Sequence, residues 1–136
     1  MTRLWRVLLF LTCAAGCLWR SYGTIMDVHL DVLTQTAAKL CTIVEAGRGP
    51  TAEGMAEYIY PAKRAREFLR QFDGYGERQS YRRFAALLDR YERLVRDVDA
   101  ARAQGRLNEL WPRLTAEREA LQAQALEIRV DLQKED

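Results

Sequence analysis

Histidine is nearly missing from this chain of 136 residues: His29 is the only one. A Ser-His-Asp or Cys-His arrangement would have to pass through that one position, and no nucleophile-elbow motif accompanies it. Cysteine is scarce too. Cys13, Cys17 and Cys41 form no CxxC pair, which excludes a thioredoxin-like motif, a zinc knuckle and covalent haem attachment. No stretch alternates β-branched and polar residues as a half-buried strand would, and no repeat of 20–50 residues is visible. A strong charge of one sign is also missing. The net charge is +2, and setting aside Arg3 and Arg6 leaves 19 basic against 19 acidic residues. The body therefore has no overall field to attract nucleic acid.

The chain does have an apolar content near half, 49%, with 29% charged residues, enough for one packed domain and too apolar for disorder. It opens with a basic MTRLWR, an apolar VLLFLTC and the small residues AAG, the order of a signal peptide. The uncharged run from Val7 lies between Arg6 and Arg20. It makes at most about 20 Å of helix, against a hydrocarbon layer of about 30 Å. Ala14, Ala15 and Gly16 are followed by Cys17, and this AAGC resembles the lipobox of bacterial lipoprotein precursors. The resemblance covers the first 17 residues only. It implies removal of residues 1–16, lipidation of Cys17 as the new N-terminus, and membrane anchoring on the periplasmic side. Leu18 after the cysteine resembles lipoproteins sorted to the outer membrane. Ordinary cleaved secretion, an uncleaved anchor helix and an apolar helix packed on the body stay open beside it. With residues 1–16 removed, Cys17 and Cys41 remain, and one bridge between them is the rival to lipidation.

The expected organisation is a signal peptide at 1–16, a lipid-anchor linker at 17–23 and a helical domain at 24–136. Met26, Leu30, Leu33, Ala37, Leu40 and Val44 draw one helical stripe, with Thr24 and Asp27 as a capping box and GRGP at 47–50 as the stop. A second stripe, Met55, Tyr58, Ile59, Ala62, Ala65, Leu69 and Phe72, follows Thr51 as N-cap; Pro61 predicts a kink or restart, and DGYG at 73–76 closes it. The third comprises Phe84, Leu87, Leu88, Tyr91, Leu94, Val95 and Val98, with Asp89–Arg93 and Glu92–Arg96 as local pairs and Gly105 as the stop. The fourth starts at Asn108, which puts Pro112 in its first turn, and runs through Leu110, Trp111, Leu114, Leu121, Ala125, Ile128 and Leu132, with Arg118 snorkelling from the stripe. Four such segments with short links predict an all-α, up-and-down antiparallel bundle of three to four helices.

Chemistry-bearing candidates are few. His29 reads as a surface or rim residue; its alternative is an axial haem ligand with a methionine such as Met55. Asp97 with Asp99, and Glu117 with Glu119, sit beside arginines and read as solvated faces. Cys41 reads as a small core residue. The uneven feature is Tyr60–Arg83: Lys63, Arg64, Arg66, Arg70, Arg78, Arg82 and Arg83 face only Glu67, Asp73 and Glu77, a net +4. These cations are the candidate patch for an anionic surface or acidic partner. Arg78, Arg82 and Arg83 avoid the third stripe and are expected to be dispensable for folding. The functional expectation is a membrane-tethered envelope module that acts by interaction, without catalysis, cofactor or nucleic acid. The alternative is a ligand or cofactor carrier using the bundle interior.

Overall fold

The structure, a computed structural model, describes the backbone of residues 2–136 and the side chains of residues 21–136. The expectations for Cys17 and the preceding segment fall outside the described side chains. The chain is all-α, with four helices: α1 (Thr2–Glu45), α2 (Ala56–Gln71), α3 (Gln79–Ala103) and α4 (Leu107–Glu135), plus a 3₁₀ turn at Asp73–Tyr75 between α2 and α3. Helix α3 packs on α4 and α2, and α1 on α4 and α2; α1 and α3 touch only slightly, as a diagonal pair would.

The apolar stripes account for this packing. Every residue of the third stripe is buried, from Phe84 to Val98, as are Met26, Leu30, Leu33, Ala37, Leu40 and Val44 of the first. Each such aliphatic or aromatic side chain contributes about 1.5–3 kcal/mol on burial. Three departures concern the edges. Ile59 and Trp111 are 38% and 55% exposed, while Phe68, outside the expected stripe, is 3% exposed. Ile59 and Trp111 lie within the first five residues of their helices, where the neighbouring helices cover less.

All three stops fall where expected: α2 ends at Gln71, and DGYG supplies the 3₁₀ turn that follows it, while the other two close on a glycine. After α1, Arg48 N–H donates to Ile43 O and Gly47 N–H to Val44 O, with Gly47 at φ +73°. After α3, Arg106 N–H donates to Ala101 O and Gly105 N–H to Arg102 O, with Gly105 at φ +68°. Both are Schellman closures, and both need the left-handed conformation that glycine adopts without strain.

The helix starts differ from expectation. Helix α1 runs unbroken through Gly23 and Thr24, so no capping box forms there; Asp27 pairs instead with Arg129 of α4. Thr51 does cap, but it caps a turn: its Oγ1 accepts from Gly54 N–H at 2.9 Å, and α2 proper starts at Ala56. Helix α2 then continues through Pro61 without a restart. The hydrogen bond that proline forfeits would have ended on the carbonyl of Glu57, an exposed residue in the first turn, where water can serve it. Helix α4 begins one residue before Asn108, which makes no capping bond, and Pro112 falls in the second turn.

Candidate functional site

The cationic segment is split among several surfaces by the periodicity of α2 and α3. Lys63, Arg66 and Arg70 step by three and four, so they share the side of α2 that faces α3. There they line a groove of about 540 Å³ whose floor includes Ala62 and Val95, and α3 adds Arg96 to its rim. Arg66 is held across the groove: Nε meets Glu92 at 2.7 Å, and its Nη2 also pairs with Asp89. Asp89 and Glu92 therefore reach across to α2, and not to Arg93 and Arg96 along their own helix.

Arg64 lies on the other side of α2. It donates to Tyr60 Oη at 3.2 Å and faces His29 of α1. Arg78 lies over the ring of Tyr75 at 5.4 Å, and Arg82 donates to Glu77 O at 3.1 Å. Arg83 points to α4, where Nη1 meets Asp131 at 3.0 Å and Glu127 at 3.9 Å. Asp131 is only 8% exposed, so Arg83 compensates a nearly buried carboxylate. The structure thus brings Lys63, Arg66, Arg70 and Arg96 together and sends Arg64, Arg78, Arg82 and Arg83 elsewhere.

His29 occupies a rim position. Its ring lies 5.2 Å from that of Phe68 and 6.3 Å from that of Phe84. Burial, with the nearby Arg64 charge, lowers its pKa below the usual histidine value. The flanking Asp27 and Asp31 are both engaged by Arg129, at 2.6 and 2.5 Å. Met55 is buried in the core. Among the described residues no three His, Cys, Asp or Glu side chains group as metal ligands, and no helix is long and apolar enough to cross a membrane. Three of the four carboxylates in the acidic pairs are engaged: Asp97 with Arg113, Asp99 with Arg102, and Glu117 with Arg90 at 2.8 Å, which holds the Glu117 carboxyl below its ordinary pKa. Cys41 is a free, fully buried thiol, 3.6 Å from Leu114 O, and burial pushes its pKa up to about 11. It stays protonated and unreactive near neutrality.

The most developed polar constellation went unread in the sequence. Tyr22, fully buried, places its hydroxyl 2.9 Å from Ser80 Oγ, and Ser80 Oγ lies 2.6 Å from Glu135 Oε2. Because a carboxylate only accepts, Ser80 donates to Glu135 and Tyr22 donates to Ser80. Glu135 also accepts the Ser80 N–H at 3.0 Å, which puts a negative charge at the start of α3 where the helix has free donors. Around it, Tyr22 stacks on Tyr75 at 4.4 Å and Phe68 at 5.8 Å. The one signal for Tyr22 is its spacing, a turn before Met26 on the first stripe.

Three kinds of side-chain surface result: a cation-rimmed groove between α2 and α3, a closed aromatic and polar cluster around Tyr22, and the outward face of α1. On that face Ile25, Val28 and Val32 are 38%, 56% and 40% exposed. No family model, curated protein or solved structure matches this chain.

Proposed function

We propose that the chain is a membrane-tethered helical module of the bacterial cell envelope, held by a lipid on Cys17 and acting through its surfaces, without catalysis. Its helices form an up-and-down antiparallel bundle facing the periplasm, more consistent with the outer than the inner membrane. The order of the cross-helix pairs supports the antiparallel reading: Arg83 with Asp131, Arg90 with Glu117 and Asp97 with Arg113 descend α4 as they ascend α3.

The observation that carries the functional reading is where the apolar side chains are. The interior is filled by the protein's own residues, with Tyr22, Met26, Leu30, Phe84, Leu87, Leu88 and Tyr91 at 0% exposure, while aliphatic residues stand on the surface of α1. A carrier would reserve its interior for a guest and orient polar groups toward it. Here the interior hydroxyls of Tyr22 and Tyr91 are spent on Ser80 and on Tyr58 O. The outward faces are left to do the binding.

Replacing Cys17 with Ser tests the tether. The variant is expected to stay at full precursor mass or to leave the membrane fraction, whereas the parent carries acyl mass on a chain beginning at Cys17. Unchanged processing and unchanged membrane retention in the variant would refute lipidation at that residue.

A further inference from the structure

We infer that the outward stripe of α1, Ile25, Val28 and Val32, is a membrane-docking face, so that the tethered bundle lies along the lipid surface. The inference rests on the tethered reading above and adds the orientation and the surface that meets the lipid.

Tyr22 is the fixed point. It is buried in the core and bonded into the Ser80–Glu135 network, so the folded body begins there. Five peptide steps separate Cys17 from Tyr22. Fully extended they reach about 18 Å at most, and as helix about 8 Å. The body cannot swing freely on so short a leash, and some face of it must rest near the headgroups. A tether also converts weak surface contact into an intramolecular event at high effective concentration, so a small apolar patch suffices.

The stripe begins three residues after that fixed point. Ile25, Val28 and Val32, followed by the exposed Gln35, recur at spacings of three, four and three, which keeps them on one line of the helix. The charges beside this line suit a lipid surface. Asp27 and Asp31, which would be repelled by phosphate, are turned to α4 and share Arg129, which cancels one of their two charges. On the α2 flank stand Arg64 and Lys39, the latter paired with Glu57. The end of the bundle, by contrast, presents Asp73, Glu77 and Asp136 among its cations. An aliphatic line with its acids drawn aside toward α4, starting next to the tether, fits the boundary between headgroups and acyl chains.

The test uses the full chain, processed in a bacterial host, extracted and reconstituted into phosphatidylcholine vesicles containing phosphatidylglycerol and a headgroup-quencher lipid. A fluorophore is placed on Gln35→Cys or on Ala86→Cys. Both positions are exposed, and Ala86 lies on α3, diagonal to α1. Quenching at position 35 is expected to exceed that at 86 several-fold. Adding Val28→Glu and Val32→Glu should bring position 35 down to the level of 86 while helicity and vesicle retention stay unchanged. Equal quenching at the two positions in a vesicle-bound chain overturns the docking face and leaves the tether standing. So does a double-Glu variant that dissociates a dimer without changing the quenching, since the stripe would then serve a second copy. A chain that does not float with vesicles at all removes the tether, and the docking face with it.

Discussion

The two ends of the helical body are closed by different means. At one end, Tyr22, Phe68, Phe72 and Tyr75 stack together, and Ser80 and Glu135 tie the start of α3 to the last turn of α4. At the other end, Cys41 lies against Leu114, and Gly49 sits so near Leu107 that an added Cβ would fall 2.3 Å from its Cδ1. Trp111 stands exposed beside a groove of about 310 Å³. The first end gathers four elements through short buried hydrogen bonds and aromatic geometry, whereas the second relies on short links and aliphatic fit, with a long thiol bond from Cys41 to Leu114 O and an exposed Thr115–Glu45 bond across it. Directional bonds fix an orientation as well as a distance. The end where the chain enters from its N-terminal segment is thus the one whose geometry is specified most tightly.

The sharpest challenge to that contrast is Tyr22→Ala. Removing a fully buried ring from the aromatic stack should cost about 3–5 kcal/mol, comparable with the largest aromatic truncations. Urea denaturation of the parent and the variant measures it. A loss near zero would mean that Tyr22 decorates the end without closing it.

Ser80→Ala should cost less, about 1–3 kcal/mol, because it removes the bond that the buried Tyr22 hydroxyl makes to Ser80 Oγ and the bond from Ser80 Oγ to Glu135. Combining it with Tyr22→Phe should be less harmful than the two costs added together, since both changes remove the same Tyr22–Ser80 bond. A double-mutant cycle reads the coupling, and strict additivity would break the proposed chain of donors.

The same end should show itself in alkali. Burial pushes the Tyr22 phenol up to about 12, above its ordinary 10, with the Ser80 hydrogen bond acting in the opposite direction. The folded pKa is raised, so the stabilisation is complete below about pH 10 and is lost as pH rises towards 12. Tyr91 is shifted the same way by burial. Tyr22→Phe should therefore shallow the alkaline decline of stability without abolishing it. An unchanged slope would place the buried phenolate penalty elsewhere.

At the opposite end the smallest effect is expected. Trp111→Ala should change stability by no more than about 0.5 kcal/mol, since the side chain is mostly in solvent. A cost of several kcal/mol there would erase the distinction between the ends.

The sequence made the helices readable and left their relations to one another unread. The third stripe was complete because Phe84 through Val98 keep helical spacing without a proline or a competing apolar residue. Tyr22 was missed because Thr24 and Asp27 mimic a helix start, and tertiary packing of α1 on α4 overrode that local signal. Phe68 was missed because it lies at the edge of the Ala65–Leu69 line, and only the neighbouring aromatics pull it inward. The ion pairs were misread for a more general reason. Spacing along one helix reveals local partners, such as Asp89 with Arg93, but the partner chosen was Arg66 on another helix. Which residues face each other across a seam depends on how far one helix has slid along the next. The directions of the seven cations were unreadable for the same reason, with Arg66 turned to α3 and Arg83 to α4.

Arg129 shows what such pairs contribute. One guanidinium grips Asp27 and Asp31, a turn apart on α1, and all three side chains are at least a third open to water or nearly so. Its value in stability is accordingly small. Apolar stripes spaced by three and four are almost self-similar under a slide of one turn, about 5.4 Å, so burial alone leaves neighbouring alignments close in energy. The arginine is not self-similar. A slide of one turn would leave it one carboxylate in place of two and would unpair Arg66 and Arg90 if their seams moved with it. These pairs work like teeth on a ratchet: they supply little of the holding force and decide which notch is held.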